Sequence, residues 1–157
     1  MENTFEAILS ATVPLFVGSF SGILISNEVK GWYRDLRKPA WNPPDAVFGP
    51  VWTVLYLLMG ISLYLVWSAE IPSSLRNTAL FLFGIQLILN FFWSIIFFKQ
   101  MEMGWALAEI GLLWVMILVT ILFFGRIRPL AAWLMVPYIC WVSFATILNY
   151  RIWRMNR

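Results

Sequence analysis

The chain of 157 residues contains no histidine and a single cysteine, Cys140. Without histidine it lacks the commonest metal ligand and general base of proteins. One cysteine excludes an intramolecular disulfide and any Cys-based zinc or iron–sulfur cluster within one chain. The sequence also shows no pairing of a nucleophile with a base, so it does not predict conventional side-chain catalysis and predicts no required cofactor.

Charge is scarce as well, at 12% of residues, whereas 61% are hydrophobic and 18% aromatic. The mean hydropathy of +0.78 is far above that of an ordinary soluble domain. The uncharged runs cover residues 7–27, 46–69, 77–98, 110–125 and 129–150. A helix needs about 20 residues to cross about 30 Å of hydrocarbon, and four of the five runs are long enough. The fourth run reaches that length only if its helix begins near Met103, which places Glu109 in the bilayer.

Lipid offers no hydrogen bonds to the backbone, and no alternating strand pattern is visible, so the runs predict helices. We therefore expect an all-α protein, a bundle of five transmembrane helices that forms one unit over residues 1–157. Glu2 and Glu6 stand where a signal peptide would carry basic residues, so the first run is expected to be a retained helix.

The distribution of Lys and Arg predicts the orientation of the helices. Three lie on the side of the amino terminus, and eight lie in the first and third loops and the carboxyl tail. By the positive-inside rule, the amino terminus is outside, whereas loop one and the carboxyl terminus are cytosolic. The net charge of +3 is then a consequence of topology, and the expected partner is the lipid bilayer and not nucleic acid.

The connector between the first two runs is unusually stiff. It combines Trp41 with Pro43 and Pro44, and it extends from Trp32 to Trp52. Prolines restrict the backbone and remove donors, so the indoles beside them form a preformed aromatic surface. We expect this Pro/Trp-rich first loop to cap a pocket at the membrane boundary.

Three of the predicted helices carry an aromatic stripe at helical spacing. The stripes are Trp52, Tyr56 and Met59; Gln86, Asn90, Trp93 and Phe97; and Pro137, Trp141, Ala145 and Leu148. Polar groups such as Glu109 are costly in lipid and should face the interior of the bundle. Aromatic walls with a few polar groups are typical of a ligand pocket, so we expect a pocket between these helices. A purely structural polar cluster is the alternative. Gly18 and Gly22 form a G-x-x-x-G spacing, which favours internal helix packing over a dimer seam.

Several motifs occur together in the order expected of one family. They are Trp32-Tyr33, Leu36-x-Lys38-Pro39-x-Trp41-x-Pro43-Pro44, Trp52 with Leu55-Tyr56, Asn90 with Trp93, Val136-Pro137-Tyr138 with Trp141, and Ala145-Thr146-x-Leu148-Asn149-Tyr150. On these motifs the whole chain resembles the translocator protein family, the tryptophan-rich sensory proteins once called peripheral benzodiazepine receptors.

The resemblance implies a five-helix protein, often a homodimer, that binds porphyrins and isoquinoline- or benzodiazepine-type synthetic ligands in a pocket closed by loop one. The positions that match the family's ligand contacts, with Trp41 added from the connector, are Tyr33, Trp41, Trp52, Tyr56, Asn90, Trp93, Ser94, Phe97, Glu109, Trp141, Ala145 and Leu148. Many relatives carry Asp where this chain has Glu109.

Three functions remain open at this stage. The first is transport or sensing of protoporphyrin-type tetrapyrroles, with the ligand's propionates meeting Lys38 or the arginines of loop one. The second is light- and oxygen-dependent porphyrin degradation, for which Trp52 and Trp141 are the candidate residues. The third is a sterol or lipid carrier, or a regulator acting through a partner protein, because Leu148, Tyr150 and Arg151 fit a weak sterol motif.

Overall fold

The computed structural model describes residues 2–157, with side chains described from Thr4 onward. Helix α1 covers Glu2–Glu28 and continues as a π-helical turn over Val29–Tyr33. Helix α2 covers Asp45–Trp67, and α3 covers Ser73–Ser94 with a second π-helical turn at Ile95–Lys99. Helix α4 covers Met103–Ile127 and α5 covers Pro129–Met155. No strand occurs in this part of the chain.

Five helical segments of 23 to 30 residues are long and apolar enough to cross a membrane within the described range. The prediction of an all-α, five-helix membrane protein is therefore confirmed, as is the start of α4 at Met103. Prolines mark three of the helix starts. Pro44 and Pro72 directly precede α2 and α3, and Pro129 occupies the first turn of α5. Because a residue before proline is driven out of the helical region, the extended Arg128 alone separates α4 from α5.

The helices form a closed ring in the order α1, α2, α5, α4 and α3, since each packs against the next and α3 returns to α1. Gly60 marks the closest approach of α1 and α2. A Cβ atom at that position would lie 2.8 Å from the Ser10 carbonyl oxygen and 3.1 Å from the Ala11 Cα. The absence of a side chain therefore allows the two backbones to touch.

Loop one, the α3–α4 turn and the carboxyl terminus lie at the same end of the bundle. The Asn156 side chain bonds both the N–H of Arg37, at 3.0 Å, and its carbonyl, at 2.8 Å. Lys99 forms an ion pair with Glu28 at 3.0 Å. We refer to this end as the loop-one end.

The connector is shorter than the sequence indicated. Trp32 and Tyr33 lie in the π-helical turn, and the chain stays helical through Asp35. The charges of Glu28 and Lys30 end the hydropathic run, but both residue types are good helix formers, so they do not end the helix. The non-helical part of loop one is residues 36–44.

Candidate functional site

A cavity of about 470 Å³ opens within the bundle at the loop-one end. Its walls come from α1, α2, α5 and the end of α3, whereas α4 contributes no lining residue. Both π-helical turns border it, through Tyr33 and Phe97, whose rings meet edge-on with centroids 6.1 Å apart. A volume in the range of about 300–1,000 Å³ with mostly apolar walls is typical of small-molecule sites.

Nine of the residues singled out from the sequence line this cavity. They are Tyr33, Trp52, Tyr56, Trp93, Ser94, Phe97, Trp141, Ala145 and Leu148. Trp41, Asn90 and Glu109 do not line it. The aromatic stripes of α2, α3 and α5 thus converge on one space.

The aromatic walls have defined geometry. On α2, Trp52 stacks on Tyr56 with ring centroids 5.5 Å apart and an interplanar angle of 26°. At the end of α3, Trp93 stacks on Phe97 at 5.3 Å and 25°. Trp141 stands edge-on to Trp52 at 6.5 Å and 88°. Offset and edge-to-face pairs of this kind each contribute about 0.5–1.5 kcal/mol beyond area burial, so the walls are held in place by one another.

The three cavity indoles differ in how their N–H groups are used. Trp93 donates to the Asn149 Oδ1 at 3.1 Å, and the Asn149 amide in turn donates to the Met103 carbonyl at 2.9 Å. The N–H groups of Trp52 and Trp141 donate no hydrogen bond to any described residue, and neither is among the fully buried, unpaired polar atoms. Both N–H groups are therefore unpaired among the described residues and partly accessible.

A buried hydrogen-bond network lies behind Tyr56. Its hydroxyl donates to the Asn90 Oδ1 at 2.6 Å, and the Asn90 amide donates to the Tyr138 hydroxyl at 3.0 Å. Tyr138 then donates to the Gln86 Oε1 at 2.8 Å. Gln86, Asn90 and Tyr138 are at most 3% exposed. Asn90 therefore positions the ring of Tyr56 from behind, and it connects α2, α3 and α5.

Glu109 lies in α4, away from the cavity wall. Both of its carboxyl oxygens are buried, as expected for an acidic group in a membrane helix, and neither has a hydrogen-bond partner among the described residues. The family resemblance placed this position among the ligand contacts. In this structure neither Glu109 nor any other residue of α4 lines the cavity.

Loop one packs on α5 beside the cavity. The Trp41 ring meets the Phe144 ring edge-on at 5.7 Å, and the Tyr33 hydroxyl donates to the Asn42 Oδ1 at 3.2 Å. No residue between 34 and 44 lines the cavity. The proposed capping role of the loop stays a prediction.

The charges on the wall are not those expected from the sequence. Lys38 lies over the ring of Tyr33 at 4.6 Å and donates to the Arg34 carbonyl at 3.1 Å, outside the cavity. Lys30 and Asp45 are the charged residues on the wall. Among the described residues, no group of three or more His, Cys, Asp or Glu side chains is placed to hold a metal ion.

The residues of the weak sterol motif do not share a surface. Leu148 is buried and lines the cavity, whereas Tyr150 and Arg151 are exposed on the outside of α5. Tyr150 instead packs against Trp153 at 6.3 Å. A ligand that contacted all three would have to reach both sides of the helix.

Helix α1 supplies a wall that the sequence did not reveal. Its lining residues are Leu15, Gly18, Ser19, Ser21, Gly22, Ile25 and Ser26. Gly18 faces the ring of Tyr56, where a Cβ atom would collide, so its role is internal packing, as favoured from the sequence. The repeat of small residues at 18, 22 and 26 was the available signal, but small residues serve helix packing equally well.

Comparison with known proteins finds relatives that match most of the chain. The model of the TspO/MBR family matches residues 10–154. The tryptophan-rich protein TspO of Chlorobaculum tepidum is 43% identical over 138 residues, which is 87% of each chain. The human translocator protein is 41% identical over 94% of this chain and 86% of its own length. The tryptophan-rich sensory protein of Cereibacter sphaeroides is 38% identical over 80% of this chain and 77% of its own.

Proposed function

Because the chain belongs to the TspO/MBR family of membrane proteins, we propose that its cavity binds porphyrins of the protoporphyrin type and other flat hydrophobic ligands, as a step in membrane transport or sensing. The observation that carries this proposal is the convergence of Trp52, Trp93 and Trp141 from three helices on one cavity of about 470 Å³. A macrocycle offers two π faces to such walls. The name of the Cereibacter relative supports sensing as one outcome of binding.

The polar groups of the cavity suit a porphyrin that needs no strong ligand to a central iron. The chain has no histidine, and Cys140 is exposed and not on the cavity wall, so the histidine and cysteine ligands of haem iron are lacking there. The hydroxyls of the two tyrosines on the wall, Tyr33 and Tyr56, already donate to Asn42 and Asn90. The free N–H groups of Trp52 and Trp141 can donate to a ligand acceptor. Lys30 supplies a cation at the rim for a propionate. We therefore favour metal-free protoporphyrin over haem, with Lys30 replacing Lys38 as the carboxylate partner.

We also propose the topology that follows from the charge count, with loop one and the carboxyl terminus on the cytosolic side. The cavity then lies in the cytosolic leaflet. From the family we also propose that the protein assembles into a homodimer and that the same cavity binds isoquinoline- or benzodiazepine-type compounds.

The test is a titration with protoporphyrin in the dark, followed by quenching of tryptophan fluorescence. The double variant Trp52→Ala/Trp141→Ala is compared with Trp105→Ala/Trp133→Ala, whose indoles are 72% and 71% exposed on the outside of the bundle. Two aromatic contacts of about 0.5–1.5 kcal/mol each predict that the cavity variant binds at least about fivefold more weakly. Equal affinity of the two double variants would contradict the proposed site.

The proposed contact between Lys30 and a propionate can be tested by comparing protoporphyrin with its dimethyl ester, which lacks the carboxylate charge. Lys30→Gln should weaken binding of protoporphyrin about two- to fivefold, as expected for an exposed ion pair, but should leave binding of its dimethyl ester unchanged. If both ligands lose affinity equally, Lys30 does not recognise the carboxylate.

A second candidate function is degradation of the bound porphyrin in light and oxygen. The observation in its favour is that Trp52 and Trp141 lie 6.5 Å apart with their N–H groups free, at the place proposed for the macrocycle. Illumination in air should then yield porphyrin products that the Trp52→Phe/Trp141→Phe variant does not form. Identical products from both proteins would eliminate this activity.

Sterol or lipid carriage, or regulation of a partner protein, is the less favoured alternative, because the sterol motif is divided between the cavity and the outer surface. Exchange of Tyr150 should leave porphyrin binding unchanged. A selective loss of cholesterol binding on that exchange would favour the carrier function.

A further inference from the structure

The two helices that close one side of the cavity are in contact at one end and apart at the other. Far from loop one, the backbones of α1 and α2 meet at Gly60 and Ser10. Towards the middle, Gly18 of α1 faces the ring of Tyr56 of α2. Beyond that point, a Cβ atom placed at Gly22 or at Gly49 would meet nothing within 4 Å. Both glycines therefore border open space at the loop-one end.

The cavity reaches the space between the separated helices. Gly22 and Ser26 on α1, and Gly49 and Thr53 on α2, all line it, and each pair is spaced by four residues along one helix face. On α2 the neighbouring Phe48 packs against Trp141 of α5 at 5.9 Å. Gly49 and Thr53 lie on the flank of α2 away from that contact, which is the flank that faces α1. We call the space bordered by these four residues the α1–α2 gap.

The surface of the gap is less polar than its sequence indicates. The Ser26 hydroxyl donates to the Ile23 carbonyl at 2.9 Å, and the Thr53 hydroxyl donates to the Gly49 carbonyl at 2.9 Å. Both hydroxyls are thus satisfied within their own helices. A hydrophobic molecule that passes them breaks no hydrogen bond and leaves no donor unpaired.

The loop-one end offers a contrasting route, and beside it loop one is held by several contacts. Asn156 holds both backbone groups of Arg37, and Trp41 packs on Phe144. With loop one as the predicted cap, entry from the aqueous side would have to break these contacts. Entry through the gap would only have to displace lipid.

We propose that flat hydrophobic ligands enter and leave the cavity sideways, from the bilayer, through the α1–α2 gap, and that the small residues at 22 and 49 set its width. This inference rests on the proposed function, because it concerns the route to the same cavity. The lateral route selects for ligands that partition into the bilayer and are thin enough to pass between two helices. Water-soluble molecules of equal size are excluded by the route and not by the cavity.

The test bridges each route in turn with a thiol-cleavable bis-methanethiosulfonate linker, in protein with Cys140→Ser. One variant carries Ser26→Cys and Gly49→Cys across the gap, and the other carries Arg37→Cys and Asn156→Cys across the loop contact. Protein in nanodiscs is mixed with vesicles that contain protoporphyrin, and uptake and release are followed by tryptophan quenching. Each variant is its own control once a reductant has cleaved the linker.

We expect the gap bridge to slow uptake and release by at least about tenfold, and by the same factor, because a barrier on the path alters rates but not the end states. Cleavage of the linker should restore both rates, and the loop bridge should change neither. Slowing by the loop bridge, or no slowing by the gap bridge, overturns the lateral route. If the unbridged proteins bind no protoporphyrin at equilibrium, the proposed function fails, and the route falls with it.

Discussion

Replacement of Asn90 by leucine tests whether this residue supports the cavity from behind or contacts the ligand itself. The substitution keeps a side chain of similar size but removes the acceptor for Tyr56 and the donor to Tyr138, which lie at 2.6 and 3.0 Å. Hydrogen bonds between membrane helices average about 0.6 kcal/mol, with a maximum near 1.7. The loss of two predicts destabilisation of about 1.2 kcal/mol, with an upper limit of about 3.4.

A double-mutant cycle with Tyr56→Phe isolates the shared bond. Tyr56→Phe alone removes one hydrogen bond, Asn90→Leu removes two, and the double variant removes the same two. The coupling energy should therefore be about 0.6 kcal/mol. Stability can be measured by unfolding in mixed micelles with an increasing fraction of SDS, followed by tryptophan fluorescence.

Binding gives the decisive comparison. If Asn90 acts only through the orientation of Tyr56, Asn90→Leu should weaken protoporphyrin binding in the wild-type background but change it less than twofold in the Tyr56→Phe background. An equal loss of affinity in both backgrounds would show that Asn90 acts on the ligand by a route other than Tyr56. That result would refute the assignment of Asn90 to the support of Tyr56.

Three further predictions concern stability. Gly60→Ala should lower the free energy of unfolding by about 1–3 kcal/mol, because its Cβ atom meets the backbone of α1. The control Gly84→Ala, whose Cβ atom meets nothing within 4 Å, should be neutral or stabilising by up to about 1 kcal/mol. SDS unfolding of both variants checks this difference in sign. Glu109→Met removes a carboxyl group whose oxygens are buried without a partner among the described residues. The substitution should therefore stabilise the protein by about 1–3 kcal/mol in the same assay. A loss of stability would show that the carboxyl group has a partner. Asn156→Ala removes both bonds to the backbone of Arg37 and should accelerate trypsin cleavage in loop one, with unchanged cleavage as the contrary result.

Loop one shows where local patterns stop being informative. Pro43 and Pro44 predicted a stiff connector. The chain is non-helical from 36 to 44, and the stiffness of this segment stays a prediction. Whether that segment covers the cavity depends on contacts with a distant helix, through Trp41 and Asn156. Contacts between residues more than 100 positions apart leave no trace in local composition.

The sequence by itself determined the number of helices and the residues that could form aromatic walls, because hydrophobic length and helical spacing are local properties that the bilayer imposes. The tertiary structure alone decided which faces meet. It placed the small residues of α1 on the cavity, Asn90 behind Tyr56, Glu109 off the cavity wall, and Lys30 on the wall in place of Lys38. The reason is physical: in lipid the outer and inner faces of a helix are both apolar, so its rotation follows from close packing and interhelical hydrogen bonds and not from hydropathy.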